Sequence, residues 1–347
     1  MRSLLFVPAD SERKLAKAEA CGADTLLLDL EDAVSASRKA AAREIGAEYI
    51  KALRPREGRP HLYVRINALD TPYWQDDLAG VMGAAPDGIM LPKPRSGEDV
   101  HKLSIALNHA EERAGIAAGA TRIIAIATEL PISLLSMSTY IGASSRLQGL
   151  TWGAEDLSTE LGSRATREAG GGWTSPYRLA RDLTLYTAVS AQIQPIDTVY
   201  IDFRDAQGFR EEARLAARDG FTGKLAIHPD QVATINDVFT PTPDEIARAE
   251  AIVQLFVDNP DAGALSLDGQ MVDRPHLTRA LQSLCRHDEP ATPRHVARNN
   301  GGIAGNEVAE VTRQQPGVRV EASARTEADQ EINGLVFVEL CNRIRAR

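Results

Sequence analysis

Short apolar runs alternate with longer segments of helical periodicity through the first two thirds of the chain. The runs mostly end at a polar or small residue and recur at intervals of roughly 25 to 35 residues, which is typical of strands separated by helices. The predicted strands are residues 3–7, 25–30, 61–66, 88–91, 122–127, 149–152, 198–201 and 224–227. This alternation predicts an α/β fold, and the number of strands favours a (β/α)8 TIM barrel. A doubly wound open sheet is the alternative, and polar residues at many strand ends rather than at one switch point favour the barrel.

Two further helical segments follow the predicted barrel, over residues 242–259 and 275–286, with an Asp-Gly turn between them. From residue 287 the composition changes to Pro, Asn, Gly, Arg and Glu, which indicates partial disorder. The sequence therefore predicts a barrel domain over residues 1–240, a helical region over 241–286 and a tail of unknown role over 287–347. Within that tail, residues 331–344 have the pattern of an amphipathic helix.

Acidic residues follow three of the predicted strands. Glu31 and Asp32 follow the second strand, Glu129 follows the fifth, and Glu155 and Asp156 follow the sixth. Because the carboxyl ends of parallel strands meet at one mouth of a barrel, these carboxylates are expected to converge there. Carboxylate oxygens suit a hard divalent cation such as Mg²⁺, which keeps positions for water and substrate. The alternative for each acid is a structural role in an ion pair.

Three basic or titratable side chains also lie at strand ends. Arg65 near the end of the third strand has the planar fork that clamps a substrate carboxylate, or it pairs with an internal acid such as Glu31. Lys93 lies between two prolines after the fourth strand, and its setting makes a Schiff-base aldolase a minority interpretation. His228 follows the eighth strand, where a structural hydrogen-bonding role is the more common alternative.

Net charge, apolar runs and cysteine spacing limit the kinds of molecule that the protein is expected to bind and the compartment in which it works. The 347-residue chain has a net charge of −9, which argues against nucleic acid and against an anionic membrane surface, since both attract basic proteins. The first apolar run is broken by Pro8, is too short for a signal peptide, and no run reaches transmembrane length. Cys21, Cys285 and Cys341 lack metal-ligand spacing, which favours reduced thiols. Together these features predict a cytoplasmic enzyme.

Seven short motifs, taken in chain order, resemble those of a known family. They are RSLLFVPA, LLLDLEDAV, LYVRIN, GIMLPK, GLTWGAEDLS, IHPDQV and DGQMVDRP. Each motif alone is weakly specific. Together, over residues 2–286, they resemble the citrate lyase β-subunit and malyl-CoA lyase family, the CitE-like branch of the HpcH/HpaI aldolase superfamily.

The resemblance implies a (β/α)8 barrel with a C-terminal helical lid, and Mg²⁺-dependent chemistry on a C–C bond between an acyl-CoA and an α-keto acid. Glu129 and Asp156 match the metal ligands of the family. Arg65 matches the residue that binds the keto-acid carboxylate. Asp273 matches a catalytic acid that the lid of a neighbouring subunit supplies.

The resemblance assigns the remaining strand-end residues with less detail. Glu31 and Asp32 match acids near the metal, Glu31 being also a candidate for substrate contact, and Glu155 is expected beside the metal ligands. Lys93 and His228 lie where the family binds CoA, which is part of the substrate. One departure concerns the fifth strand, where the acid lies in Ala-Thr-Glu-Leu-Pro rather than the usual Ile-Glu-Thr context.

The implied reaction is cleavage or condensation of a 3-hydroxyacyl-CoA such as malyl-, citramalyl- or citryl-CoA, in a homotrimer or hexamer. One alternative on the same scaffold is a malyl-CoA thioesterase. Another is a citrate lyase β subunit that acts on an acyl-carrier-protein partner. A non-catalytic binding protein is a further alternative, and the presence of Glu129, Asp156, Arg65 and Asp273 argues against it.

Overall fold

The computed structural model describes residues 1–288, with side chains up to residue 285. Within that range, the chain divides into two compact units, and the boundary between them lies between residues 241 and 242. The predictions for residues 289–347, including the helix over 331–344, lie outside the described residues.

The first unit is a closed barrel in which all eight strands pair in parallel and in chain order. The strands are β1 (Ser3–Pro8), β2 (Thr25–Asp29), β3 (His61–Arg65), β4 (Gly88–Leu91), β5 (Arg122–Ile126), β6 (Leu147–Thr151), β7 (Gln194–Asp197) and β8 (Gly223–Ala226). The α-helices of this unit are α1 (Glu12–Glu19), α2 (Lys39–Leu53), α3 (Trp74–Val81), α4 (Gly97–Ala114), α5 (Pro131–Leu135), α6 (Ala154–Leu161), α7 (Ser175–Ser190), α8 (Ala206–Asp219) and α9 (Asp230–Val238). The prediction of a (β/α)8 barrel is confirmed.

Side-chain alternation along the strands divides the apolar core of the barrel into two layers. The smaller cluster fills the barrel interior and includes Leu27 of β2, Tyr63 of β3, Ile124 of β5 and Leu225 of β8. The larger cluster lies between the strands and the surrounding helices. Because Leu27 faces inward, the period of two directs the polar residues that follow it on the same face towards the barrel mouth.

The seventh strand is the one that the sequence misplaces. Residues 198–201 were expected to form it, but β7 ends at Asp197, where Asp197 pairs in register with Lys224 of β8. The apolar residues after Asp197 belong to the β7–α8 loop, and Asp202, which directly follows residues 198–201, is exposed. Asp197 is buried and accepts a hydrogen bond of 2.6 Å from Lys224 Nζ, so a charged residue lies inside the true strand.

The second unit consists of two helices and a hairpin. Helix α10 (Pro243–Asp258) begins with a capping box formed by Thr242 and Glu245. An antiparallel hairpin of β9 (Ala264–Leu267) and β10 (Gln270–Asp273) follows, and then α11 (Arg274–Asp288). The hairpin turn places Asp268 and Gly269 at positive φ, as Asp-Gly favours, although a hairpin itself was not predicted. Apolar residues of α10, β10 and α11 form a core within this unit.

The structure also bears on the predictions about the cysteines and about membrane-spanning segments. Cys21 is a free thiol, but Cys285 is disulfide-bonded, so the expectation of three reduced thiols is wrong. Over residues 1–288, no helix combines the length and apolar character needed to cross a bilayer.

Candidate active site

The mouth of the barrel at β2, β4, β5 and β6 gathers the predicted acids around one ammonium group. Lys93 Nζ lies 2.6 Å from Glu31 Oε1, 3.0 Å from Asp32 Oδ2 and 3.2 Å from Asp156 Oδ1. The backbone N–H of the same lysine donates to Glu129 Oε2 at 2.6 Å. Four strand-end carboxylates therefore converge on one residue, although Lys93 was expected on the CoA path rather than at their centre.

Glu129 is the most buried of these acids, with 2% of its surface exposed. Burial raises its pKa well above the ordinary value, and the charges of Glu31 and Asp156 raise it further, while Lys93 opposes the shift. The tight packing depends on Gly153, because a Cβ there would lie 2.7 Å from Glu129 Cγ. The glycine before α6 thus lets the start of that helix, which carries Asp156, approach the buried carboxylate.

Glu31 is also buried and has one weakly satisfied oxygen. Burial raises its pKa although Arg65 and Lys93 lower it. Its Oε2 lies 2.8 Å from Arg65 Nη1, yet the angle is unsuitable for a hydrogen bond. Asp32 is far more exposed than Glu31 and points its carboxylate to the same ammonium group. The pair thus forms an inner and an outer acid on the Lys93 side chain.

Arg65 is paired with internal acids. Its Nε and Nη2 donate to the two oxygens of Asp29 at 2.8 and 2.6 Å, and its guanidinium lies 4.7 Å from the centre of the Phe6 ring. Asp29 in turn accepts from the backbone N–H groups of Glu31 and Ala33. The structure therefore has the alternative pairing considered for Arg65, with Asp29 as the main partner. The sequence signal that could have identified Asp29 is its position two residues before Glu31, which places both acids on the same face of β2 and the segment after it.

Glu155 and His228 make their contacts with residues other than Lys93 and the acids around it. Glu155 is exposed and lines a cavity of about 240 Å³, together with residues 165–167 and Trp173, Val199 and Ile201. Within residues 1–288, its carboxylate makes no ion pair with Lys93. His228 stacks on Phe203 with ring centres 4.7 Å apart, and its Nδ1 accepts from the backbone N–H of Asp230.

Asp273 lies in the second unit at the end of β10. Its Oδ1 is 2.5 Å from His276 Nδ1, and the backbone N–H of His276 points to the same oxygen. The hydrogen bond from His276 lowers the pKa of Asp273 below its ordinary value. The carboxylate is therefore ionised at neutral pH. His276 was not singled out from the sequence, where an i, i+3 spacing is too common to identify it.

A magnesium ion fits the chemistry of this donor set. In residues 1–288, no three side chains of the His, Cys, Asp or Glu type are arranged so that they alone could hold a metal ion. The two carboxylates of Glu129 and Asp156 are the number that Mg²⁺ usually takes from a protein, with water and substrate filling its other positions. Because burial disfavours the charged form of Glu129, its ionisation would require a cation nearby.

Comparison with known proteins places the chain in a family. A family model described as HpcH/HpaI aldolase/citrate lyase matches residues 2–229. Citrate lyase subunit beta of Leuconostoc mesenteroides subsp. cremoris is 34% identical over 281 residues, covering 80% of this chain and 90% of that protein. L-malyl-CoA/beta-methylmalyl-CoA lyase of Cereibacter sphaeroides (strain ATCC 17025 / ATH 2.4.3) is 34% identical over 298 residues, covering 80% and 92%.

A solved structure supports the same assignment. CitE from Mycobacterium tuberculosis in complex with magnesium, acetoacetate and coenzyme A aligns with a TM-score of 0.66 at 32% identity. The alignment covers 83% of this chain and 98% of that one. The chain therefore belongs to the HpcH/HpaI aldolase/citrate lyase family and is a carbon–carbon lyase.

Proposed function

We propose that this protein cleaves, or forms, a 3-hydroxyacyl-CoA of the malyl, citramalyl or citryl type in an Mg²⁺-dependent reaction. The products of cleavage are an acyl-CoA and an α-keto acid. The observation that carries the proposal is the convergence of Glu129, Asp156 and Glu31 at the barrel mouth, with Arg65 in contact with Glu31. The relatives named as citrate lyase and malyl-CoA lyase, and the neighbour bound to magnesium and coenzyme A, support the substrate class.

Glu129 and Asp156 are the residues that would hold the magnesium ion. Bound there, Mg²⁺ supplies positive charge that stabilises the negative charge developing on substrate oxygens during C–C cleavage. Glu129 is fixed by burial and by the Lys93 backbone N–H, whereas the Asp156 side chain is 34% exposed. One ligand is thus rigid and the other faces the solvent from which substrate arrives.

Arg65 would orient the carboxylate of the keto acid. Two of its N–H groups donate to Asp29 and its Nη1 lies against Glu31, so about two of the five N–H groups of a guanidinium remain for an incoming carboxylate. The Asp29 pairing fixes the plane of the fork and raises the pKa of Arg65, although burial opposes this, which keeps the group charged. A fixed cationic fork lowers the entropy cost of orienting the substrate.

Asp273 would move the proton at the α-carbon of the acyl-CoA. With its pKa lowered by His276, it accepts that proton in condensation. In cleavage its protonated form would deliver a proton to the carbon, while the substrate hydroxyl loses one. Following the family, we place this residue in the site of a neighbouring subunit, in a homotrimer or hexamer.

The proposal is tested by incubating the protein with Mg²⁺ and malyl-CoA, citramalyl-CoA or citryl-CoA in separate reactions. Keto acids are trapped with phenylhydrazine, and CoA species are identified by mass. Keto acid and acyl-CoA appearing together from one thioester support the lyase and name its substrate. Free CoA without keto acid supports the thioesterase instead. Turnover only of an acyl-carrier-protein thioester supports the citrate lyase β-subunit alternative.

A further inference from the structure

The ammonium group of Lys93 lies among carboxylates that would attract an external cation. It contacts Glu31, Asp32 and Asp156, and the charges of Glu31 and Glu129 raise its pKa, although burial alone would lower it. Lysine ammonium is a compact point charge, which makes it the closest side-chain substitute for a small metal ion.

The charge of the cluster points to the same role. Five carboxylates lie together at this mouth, and Arg65 is engaged mainly by one of them, Asp29. Within residues 1–285, Lys93 is the cation that contacts both Glu31 and Asp156, and two of the three acids Glu31, Glu129 and Asp156 are buried. Unbalanced carboxylates at these distances repel each other strongly in a partly buried setting. A lysine reduces that repulsion without neutralising it, so the cluster retains attraction for a divalent ion.

The backbone of Lys93 is held in a fixed, unusual conformation. Its φ of 48° is in the left-handed region, which is uncommon for a residue other than glycine. The N–H of this strained residue is the donor to Glu129 Oε2. The main chain is therefore anchored to one proposed metal ligand while the side chain reaches the other, Asp156. Movement of the side chain alone can free Asp156 without disturbing Glu129.

We propose that Lys93 is a built-in counter-ion that keeps the metal-free site assembled and leaves Asp156 when a divalent cation binds. The inference rests on the proposed function, because it takes Glu129 and Asp156 as the metal ligands. After displacement the ammonium group stays with Glu31 and the more exposed Asp32, on the outer side of the cluster. Lys93 is in this account a positioning residue that competes with the metal.

The first test measures Mn²⁺ affinity of the full-length protein by electron paramagnetic resonance. Removing a competing charge predicts that Lys93→Met binds Mn²⁺ about tenfold more tightly than wild type. Lys93→Arg keeps the charge and should bind no more tightly than wild type. Lys51→Met, which removes a lysine paired with Glu48 on α2, is the matched control for net charge and should not change affinity.

The possible outcomes distinguish a wrong metal site from a wrong role for Lys93. If wild type and Glu129→Gln bind Mn²⁺ equally, or wild type binds none, the proposed metal site itself is wrong. If wild type binds and Glu129→Gln does not, but Lys93→Met binds equally or more weakly than wild type, the counter-ion role is overturned.

A second measurement does not depend on how Lys93→Met folds. Brief acetylation of the wild-type protein, quantified at each lysine by peptide mass, reports how accessible each ammonium group is. We expect labelling of Lys93 to rise several-fold when Mn²⁺ is added and labelling of Lys51 to stay constant. Labelling of Lys93 that falls or does not change with Mn²⁺ would contradict displacement.

Discussion

The buried carboxylate of Glu129 places function and stability in opposition. As a proposed metal ligand Glu129 must be ionised, yet burial raises the pKa of this group, so the fold favours its protonated form. Because the folded pKa of Glu129 is higher than its unfolded pKa, the free energy of unfolding falls as pH rises from the unfolded pKa through the folded one. In the metal-free protein, the contribution of Glu129 to stability is therefore smallest above its raised folded pKa.

Replacing Glu129 with Gln should abolish Mn²⁺ binding and raise the melting temperature of the metal-free protein at pH 8. The reason is that glutamine removes the buried charge and its repulsion with Glu31 and Asp156 while keeping an acceptor for the Lys93 N–H. Asp156→Asn is the matched control, because that carboxylate is 34% exposed and its loss should stabilise less. Differential scanning calorimetry in EDTA measures both. A lower melting temperature for Glu129→Gln would contradict the account.

The proposed catalytic role of Asp273 has its own test. Asp273→Asn should lower kcat by about a hundredfold to ten-thousandfold, as loss of a general acid–base does, while Mn²⁺ and keto-acid binding stay close to wild type. Stopped-flow kinetics and equilibrium binding measure the two effects separately. Retained turnover in this variant would remove Asp273 from the mechanism.

The contact between Asp273 and His276 predicts a pH dependence. Because the hydrogen bond from His276 lowers the pKa of Asp273, the carboxylate stays ionised to lower pH than an ordinary aspartate. Condensation uses it as a base, so the acidic limb of kcat/KM against pH should shift upwards in His276→Ala. A pH–rate profile of both proteins checks this. An unshifted acidic limb would show that His276 does not affect the proton transfer.

At the scale of elements, β7 explains where sequence reasoning succeeded and failed. Seven strands were predicted within a few residues, because each is an apolar run buried on both faces. The remaining strand, the seventh in chain order, was predicted over residues 198–201 because they are apolar, but these residues form a loop. The true strand contains Asp197, whose charge is balanced by Lys224 from the next strand and which accepts from Trp152 Nε1. Pairing between strands far apart in sequence is invisible to a local hydrophobic pattern.

This buried pair is itself a stability prediction. Lys224 is fully buried and bonds to both Asp197 and Glu212 of α8. Lys224→Met should lower the free energy of unfolding by about 3–5 kcal/mol, because the buried carboxylate of Asp197 loses its cationic partner. The double variant Lys224→Met/Asp197→Asn should recover part of that loss. Urea denaturation measures both, and a neutral effect of the single variant would contradict the assignment.

The same limit applies to the candidate site. The positions of Glu129, Asp156, Glu31 and Arg65 at one mouth follow from strand ends in a parallel barrel, so the sequence could predict that they meet. Which acid pairs with which cation could not be predicted, because it depends on side-chain geometry of about an ångström. Arg65 was expected to clamp substrate and is bound first to Asp29, while Lys93 lies at the centre of the acids.

At the scale of the whole molecule, the proposal needs Glu129 of one subunit and Asp273 of another. Glu129→Gln and Asp273→Asn are each expected to be inactive alone. If they are unfolded, mixed at equal amounts and refolded together, about a quarter of the sites in a cyclic oligomer would combine both intact residues. Recovery to about that fraction of wild-type activity supports a shared site. No recovery, with mixed oligomers verified by native mass spectrometry, would place Asp273 within its own subunit's site.

The central claim, metal-dependent C–C cleavage, is most directly tested by the product ratio from the substrate that turns over fastest. The account predicts one keto acid for each acyl-CoA with Mg²⁺, no product in EDTA, full recovery on restoring Mg²⁺, and none with Glu129→Gln. Equal product in EDTA, or free CoA in place of the paired products, would contradict it.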